Sequence, residues 1–168
     1  MFCFFSYTDF SKYKDWSLMR TITPGNDKAI CGITALNSTL YVVSHVSNII
    51  SVYSATEFMF LRNLTVDALV NSNDIVSCTF NNCLYICDWG TAREFRVNVG
   101  EETEQMDWSI DKDLGCLSVT TAHTVLMAGY VSNRLKEYMP NGRLIRSIEL
   151  RNDMKPWHAV KLGSNNPH

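Results

Sequence analysis

The amino-acid sequence predicts an all-β fold, an incomplete β-propeller of four-stranded antiparallel blades, with about three whole blades and a partial blade at each end. Three observations predict it. A strand–turn–strand pattern occurs three times, at a spacing of roughly 40 residues. The second strands of the first two units are apolar on both faces, as strands buried between neighbouring blades would be. No amphipathic helical stretch stands out along the chain.

Three segments align without gaps and form the centre of each unit. They run from Leu40 to Tyr53, from Leu84 to Val97 and from Val125 to Tyr138. In each segment an apolar run meets a turn residue, passes a short turn and resumes with alternating character. This pattern is typical of a β-hairpin.

Two further strands flank each hairpin. A short strand followed by polar residues precedes it, at 32–35, 75–80 and 116–120. A fourth strand follows it and carries a recurring five-residue motif, at Phe60–Leu64 and at Leu144–Ile148. The same motif at Leu18–Ile22 would end an earlier unit. The middle unit has a similar strand at 107–110 but not the residues of this motif, and we align its Trp108 with Arg62 and Arg146. Four strands in each unit are typical of propeller blades.

The units are predicted to form one continuous array, because no Pro-, Gly- or Ser-rich linker divides them. We place a partial blade at 1–26, whole blades at 27–67, 68–112 and 113–152, and the start of a further blade at 153–168. A six-bladed ring would need about 250 residues. We therefore expect the exposed end faces to be covered by missing blades from a longer chain or by self-association.

Composition limits the classes of function. Hydrophobic residues make up 46% of the chain, so it should fold, and a net charge of −2 gives no global positive field for nucleic acid or anionic lipid. No run approaches the roughly 18 apolar residues of a membrane span, so no membrane partner is expected. The six cysteines form no CxxC pair and lie mostly in apolar runs, which predicts buried free thiols. We expect a cytoplasmic protein.

The segment Val125–Ile148 resembles the NHL repeat. It has an apolar pair, Asn133-Arg134-Leu135 at a turn, and Pro140-Asn141-Gly142 before the last strand. The segment Leu84–Thr91 departs from this pattern and resembles the YWTD repeat of lipoprotein-receptor propellers, although it lacks the second aromatic residue and no other unit repeats it. Both resemblances imply a six-bladed propeller. A YWTD-like protein would be extracellular.

One column of the alignment predicts a binding surface. Loops after the second strands and loops joining the units emerge on the same face of a propeller. His45, Trp89 and Tyr130 occupy equivalent positions there, and aromatic residues dominate binding hot spots. Our leading interpretation is a non-catalytic scaffold that binds a protein or peptide on this face. The alternative is that these side chains pack between blades.

The NHL resemblance implies such an interaction role, since in tripartite-motif proteins a propeller of this kind follows RING, B-box and coiled-coil segments. It also implies a second possibility, an RNA-binding module. Arg93 and Arg134, with Lys136, lie on or beside the third strands and could form its positive patch, although Glu94 and Glu137 lie next to them.

A third possibility is a calcium-dependent, lactonase-like propeller hydrolase. Acidic residues occur in the loops that join the units, namely Asp27, Asp74, Asp113 and Asp153. Carboxylates suit calcium, but loop Asp residues also stabilise turns. No HExxH, GxSxG or P-loop pattern is present in the sequence. We therefore assign no metal, no cofactor and no catalytic residue.

Overall fold

The computed structural model describes residues 2–6, 17–22, 29–100, 105–110, 115–129, 131–151, 156 and 159. These residues form fourteen strands and no helix. Accordingly, no helix in the described part of the chain has the length and apolarity needed to cross a bilayer. Twelve strands form three four-stranded antiparallel sheets, each with its strands in chain order, and the other two strands pair with each other. The prediction of an all-β fold built from four-stranded antiparallel sheets is confirmed.

The paired strands near the start of the chain are β1 (Phe2–Ser6) and β2 (Ser17–Ile22). Blade 1 contains β3 (Ile30–Leu36), β4 (Thr39–Ser44), β5 (Ile49–Ser54) and β6 (Phe60–Thr65). Blade 2 contains β7 (Ser72–Cys78), β8 (Cys83–Asp88), β9 (Arg93–Asn98) and β10 (Gln105–Ser109). Blade 3 contains β11 (Leu117–Val119), β12 (Val125–Gly129), β13 (Arg134–Tyr138) and β14 (Leu144–Glu149).

The central hairpins are present in all three blades, as the gapless alignment predicts, and they share one register. The opposite residues are Leu40 and Tyr53, Leu84 and Val97, and Val125 and Tyr138. Because side chains alternate between the two faces of a strand, agreement at one pair fixes the face that every hairpin residue occupies. Equivalent positions in the three blades can therefore be compared directly.

The recurring motif of the fourth strands corresponds to a β-bulge. The register of the outer pair shifts by one residue at Leu61 in blade 1 and at Ile145 in blade 3. The pair of β1 and β2 shifts in the same way at Met19. In all three cases the extra residue directly precedes the arginine of the motif. A bulge increases the local twist of an outer strand, and the strand then pairs less readily with a strand of another sheet.

The alignment of Trp108 with the arginines of this motif is wrong by two residues. β10 pairs with β9 without a bulge, and Met106 lies opposite Arg96. Arg62 lies opposite Val52, the position equivalent to Arg96, so Met106 is the true counterpart of Arg62. The connection before β10 has a different length from the others, and a loop of variable length carries no periodic signal.

The hydrophobic cores lie between the blades. One apolar cluster joins blades 1 and 2 and includes Val43, Ile50 and Phe95. A second cluster joins blades 2 and 3 and includes Tyr85 and Met127. The strand β8 is buried along its whole length. A sheet with neighbours on both faces has the packing of a propeller blade.

The inner strands of neighbouring blades are joined by close contacts. A Cβ atom on Gly32 would lie 2.9 Å from the backbone nitrogen of Ile75, so only glycine allows this approach. The Thr34 hydroxyl donates a hydrogen bond of 3.0 Å to Ser77 Oγ, and the Ser77 amide donates one of 3.1 Å to Thr34 Oγ1. These contacts fix the height of blade 2 relative to blade 1.

Glu94 departs from the blade template. Its counterparts are Ile50 in blade 1 and Leu135 in blade 3, yet Glu94 is fully buried on the face that meets blade 3. Within the described structure, neither of its carboxyl oxygens has a hydrogen-bond partner. Burial raises the pKa of Glu94 from its ordinary value of 4.5 to about 8. The folded protein therefore holds this carboxyl in its protonated form near neutral pH.

The sign of the resulting pH dependence follows from linkage. Between about pH 4.5 and pH 8 the unfolded chain has released the proton while the folded chain retains it, so stability falls as the pH rises. At about 1.4 kcal/mol per pKa unit, the loss is about 5 kcal/mol at most. We expect Glu94→Ile, which restores the residue of blade 1, to raise stability at pH 8 and to remove this slope. Urea unfolding at several pH values measures both effects.

The matched control is Glu94→Gln, which has the same shape but cannot ionise. It should also remove the slope between pH 4.5 and 8, with a smaller gain in stability because its amide remains a buried polar group. A wild-type protein whose stability does not fall over this range, relative to Glu94→Gln, would contradict the assignment.

Candidate functional site

The candidate site is the loop face, which we define as the turns 45–48, 89–92 and 131–133 together with the joining segment 66–71. Strand pairing places these elements at one end of the blades, because Ser44 lies opposite Ile30 and Asp88 lies opposite Ser72. The start of each inner strand and the end of each second strand therefore meet on this face.

His45 and Trp89 stand at equivalent places on the loop face, as predicted. Each directly follows a second strand, and each backbone amide donates to the segment before the inner strand, His45 to Ala29 O at 2.8 Å and Trp89 to Asn71 O at 2.9 Å. Tyr130 follows the equivalent strand β12 in the sequence, but it lies outside the described residues.

Asn71 connects the two turns. Its side-chain oxygen lies 3.0 Å from His45 Nδ1 and accepts a hydrogen bond of 3.4 Å from the Val46 amide. Its backbone oxygen accepts the hydrogen bond from Trp89. One residue of the joining segment thus holds the turn of blade 1 beside the turn of blade 2, so the spacing of His45 and Trp89 is set by the scaffold.

Asp88 organises the same region from below. Its carboxylate is fully buried and accepts three backbone hydrogen bonds, from Val70 at 2.6 Å, Asn71 at 3.0 Å and Gly90 at 2.7 Å. A carboxylate that accepts hydrogen bonds from several backbone amides fixes the positions of the loops that donate them. Blades 1 and 3 have Ser44 and Gly129 at this position. Among the aligned hairpins, that of blade 2 therefore carries the carboxylate.

The loop face exposes apolar side chains. Trp89 is 62% exposed, Val46 65% and Val131 79%, and Val70 between the turns is also exposed. The alternative expectation, that the aromatic column packs between blades, does not hold for Trp89. Its indole extends into solvent while the backbone beneath it is held by Asn71 and Asp88.

The two arginines of the predicted site are engaged in ion pairs. Arg93 pairs with Asp107 on the neighbouring strand β10. Arg134 pairs with Glu149 on β14 at 2.6 Å. Both arginines begin third strands close to the loop face, but each shares its charge with an acid of the same blade. This arrangement gives no concentration of positive charge for a phosphate backbone.

Asp74, the described member of the predicted acidic column, has a structural role. Its Oδ2 accepts a hydrogen bond of 2.7 Å from the Leu117 amide of blade 3, and its Oδ1 accepts one of 2.9 Å from the Ile75 amide. Asp74 thus joins the inner strands of blades 2 and 3. Asp27, Asp113 and Asp153 lie outside the described residues. Among the residues that the structure describes, no group of three or more His, Cys, Asp or Glu side chains is arranged to hold a metal ion.

Sequence reasoning missed several residues of this site. It did not single out Val46, Val70 and Val131, although a valine within a turn is an available signal because turns favour Gly, Asn, Asp and Ser. It also missed Asn71, whose role depends on a contact between two blades. Asp88 ends an apolar run in the sequence, but its hydrogen bonds to the joining segment are tertiary and leave no sequence pattern.

Comparisons with known proteins agree with the fold. No family model matches the chain, and no curated protein matches it. Among solved structures it is similar to a catalytically inactive virginiamycin B lyase from Staphylococcus aureus solved with quinupristin, with a TM-score of 0.64 and 11% identity over 82% of this chain and 46% of that one. It is also similar to Kuenenia stuttgartiensis hydrazine synthase, with a TM-score of 0.62 and 13% identity over 77% of this chain and 40% of the other.

A streptogramin B lyase gives a TM-score of 0.62 and 11% identity, over 75% of this chain and 42% of that chain. The chain thus spans less than half the length of each of these structures. At such low identity the likeness is one of fold, and it supports the β-propeller architecture.

We expect Asp88→Ala to destabilise the protein by about 3 kcal/mol, because it leaves three partly buried amides of two loops without an acceptor. The matched control is Asp107→Ala, which removes an acid from a solvent-exposed ion pair and should cost at most about 1 kcal/mol. Thermal and urea unfolding of both variants measures the difference. Equal effects of the two substitutions would show that Asp88 does not hold the loop face.

Proposed function

We propose that this chain is a non-catalytic β-propeller scaffold that binds a protein or peptide partner on its loop face. The observation that carries the proposal is the exposure of Trp89 and Val46 on turns whose backbones are held by Asn71 and Asp88, with Val131 exposed on the corresponding turn of blade 3. Exposed aromatic residues on a rigid frame provide large contact area at a small cost in conformational entropy. The absence of a positive concentration around Arg93 and Arg134 favours a protein partner over RNA.

Backbone strain at Val46 supports a functional reading of this face. Its φ is +51°, in the left-handed region that β-branched residues rarely occupy. Strain of this kind costs about 1–3 kcal/mol and tends to persist at binding sites. A valine that is both strained and 65% exposed contributes little to the fold, whereas it would contribute apolar contact to a partner.

We further propose that the repeat is of the NHL type. Two local features support this. Asn133 adopts a φ of +54° directly before Arg134 begins β13, as a turn asparagine followed by a basic residue would. Gly142 adopts a φ of +82° in the turn before β14, where a residue with a Cβ atom would also meet the indole of Trp108.

We also propose a reducing, cytoplasmic location. Cys31, Cys78, Cys83, Cys87 and Cys116 are all free thiols in the structure. Disulfides are the usual stabilising elements of secreted domains, whereas free buried thiols are ordinary in reducing compartments.

The test uses a displayed library of random peptides, selected on the folded chain. Peptides selected on the wild type should bind the double variant Trp89→Ala, Val131→Ser about 30-fold more weakly, the loss typical of a binding hot spot. Fluorescence anisotropy with synthetic copies of the selected peptides measures the affinities, and circular dichroism checks that the variant is folded.

The control variant is Phe80→Ala. Phe80 is 74% exposed but lies in the turn between β7 and β8, at the opposite end of the blade. Peptides that lose affinity on Phe80→Ala and keep it on the loop-face variant would place the binding surface on the other end and overturn the proposal. Equal affinity for all three proteins would overturn it as well.

We expect Val46→Asn to raise stability by about 0.5–1 kcal/mol and to weaken binding of the selected peptides, because asparagine tolerates a positive φ but lacks the apolar surface. Val70→Asn is the matched control, since Val70 is an exposed valine of the same loop face with no positive φ. It should weaken binding without raising the midpoint of unfolding. A Val46→Asn protein that is less stable than wild type would contradict the assignment of strain.

A further inference from the structure

Two buried cysteines face each other at one end of blade 2. Cys78 ends β7 and Cys83 begins β8, and they are directly opposite in the antiparallel register. Opposite residues lie on the same face of a sheet, and both thiols belong to the apolar cluster between blades 2 and 3. Both are free in the structure.

The spacing of opposite residues suits a disulfide. Antiparallel partners have Cα atoms about 4.5 or about 5.5 Å apart, depending on the type of pair, and both values fall within the range of roughly 4.4–6.8 Å found for disulfides. Cys78 and Cys83 therefore satisfy the Cα spacing of a disulfide whichever type of pair they form.

The equivalent position in blade 3 provides an independent check. There the residues beyond the ends of β11 and β12 are Thr120 and Thr124, joined by a hydrogen bond from the Thr120 amide to Thr124 O. Their side-chain Oγ1 atoms lie only 2.6 Å apart. In blade 3, γ atoms on the two sides of the first turn thus point at each other on one face.

We propose that Cys78 and Cys83 form a redox-active dithiol, which a small disulfide oxidant such as oxidised glutathione converts into a cross-strand disulfide. A thiolate of the pair attacks the oxidant, forms a mixed disulfide and releases one glutathione thiol. The second thiolate then attacks the mixed disulfide and releases the second glutathione. The protein loses two protons and two electrons, and the oxidant gains them as two thiols.

Burial determines how this dithiol responds. Burial raises the pKa of the Cys83 thiol, so the folded protein keeps it protonated and slow to react. Reaction requires opening of the turn 79–82, which lies at the surface and carries the exposed Phe80. The dithiol therefore responds to sustained oxidising conditions and not to brief ones.

The disulfide would fix a turn that touches both neighbouring blades. The Asn37 side chain donates a hydrogen bond of 2.7 Å to Asn82 Oδ1, which links the turn to blade 1. The Phe80 ring stacks on His123 of blade 3, with ring centroids 4.0 Å apart. Closing the bond between Cys78 and Cys83 would restrict both contacts and stiffen the junction of the three blades.

The test equilibrates the folded chain in glutathione buffers of graded ratio. Free thiols are then alkylated with one reagent in denaturant and, after reduction, with a second. Peptide mass spectrometry should find that Cys78 and Cys83 change together from the first label to the second, while Cys87 on the same face keeps the first. The melting temperature of the oxidised protein should be a few degrees higher than that of the reduced protein.

The matched variant is Cys78→Thr, Cys83→Thr, which installs the pair that blade 3 already uses. It should fold and show no change of melting temperature between reducing and oxidising buffers. The proposal is wrong if Cys78 and Cys83 remain free in a buffer that oxidises other cysteines of the chain. It is also wrong if either is found joined to a different cysteine.

Discussion

Burial of both faces of the second strands is the constraint on which the rest of this structure depends. A strand such as β8, which carries Leu84, Tyr85 and Ile86 in succession, cannot face water on either side. Transfer of such side chains from water contributes about 1.5–3 kcal/mol each, but only if a neighbouring sheet covers them. One blade alone is therefore unstable, and the blades must stack face to face.

The same constraint decides where function can reside. Packing covers the faces between neighbouring blades, so blade 2 contacts other molecules through its turns and its outer strand. The end that carries His45 and Trp89 is fixed by hydrogen bonds that the oxygen atoms of Asn71 and Asp88 accept. The fold therefore supplies a rigid frame at that end, and the side chains on it are free to be selected for binding.

The repeat made much of the fold predictable from the sequence. Hairpins with a constant number of residues between equivalent positions align without gaps, and the structure has a hairpin in each aligned segment, with Leu84 opposite Val97 in blade 2. Only the fourth strand of blade 2 was misaligned, because the connection before β10 differs in length and no bulge precedes Met106, the true counterpart of Arg62 and Arg146. Of the site, the positions of His45 and Trp89 were predictable from periodicity. The exposure of Val46 and the bridging by Asn71 were not, because both depend on contacts between blades.

A repeated template also gives each blade an internal reference, which separates structural residues from residues kept for other reasons. Where Val43, Ile50 and Leu64 fill the junction of blades 1 and 2, their counterparts in the junction of blades 2 and 3 are Cys87, Glu94 and Trp108. The backbone there is the same, so the backbone does not require these polar and sulfur-bearing side chains. A buried carboxyl without a hydrogen-bond partner weakens the stack, and an apolar residue is available at one substitution. At this one position, therefore, the junction of blades 2 and 3 is held less strongly than an apolar side chain would hold it.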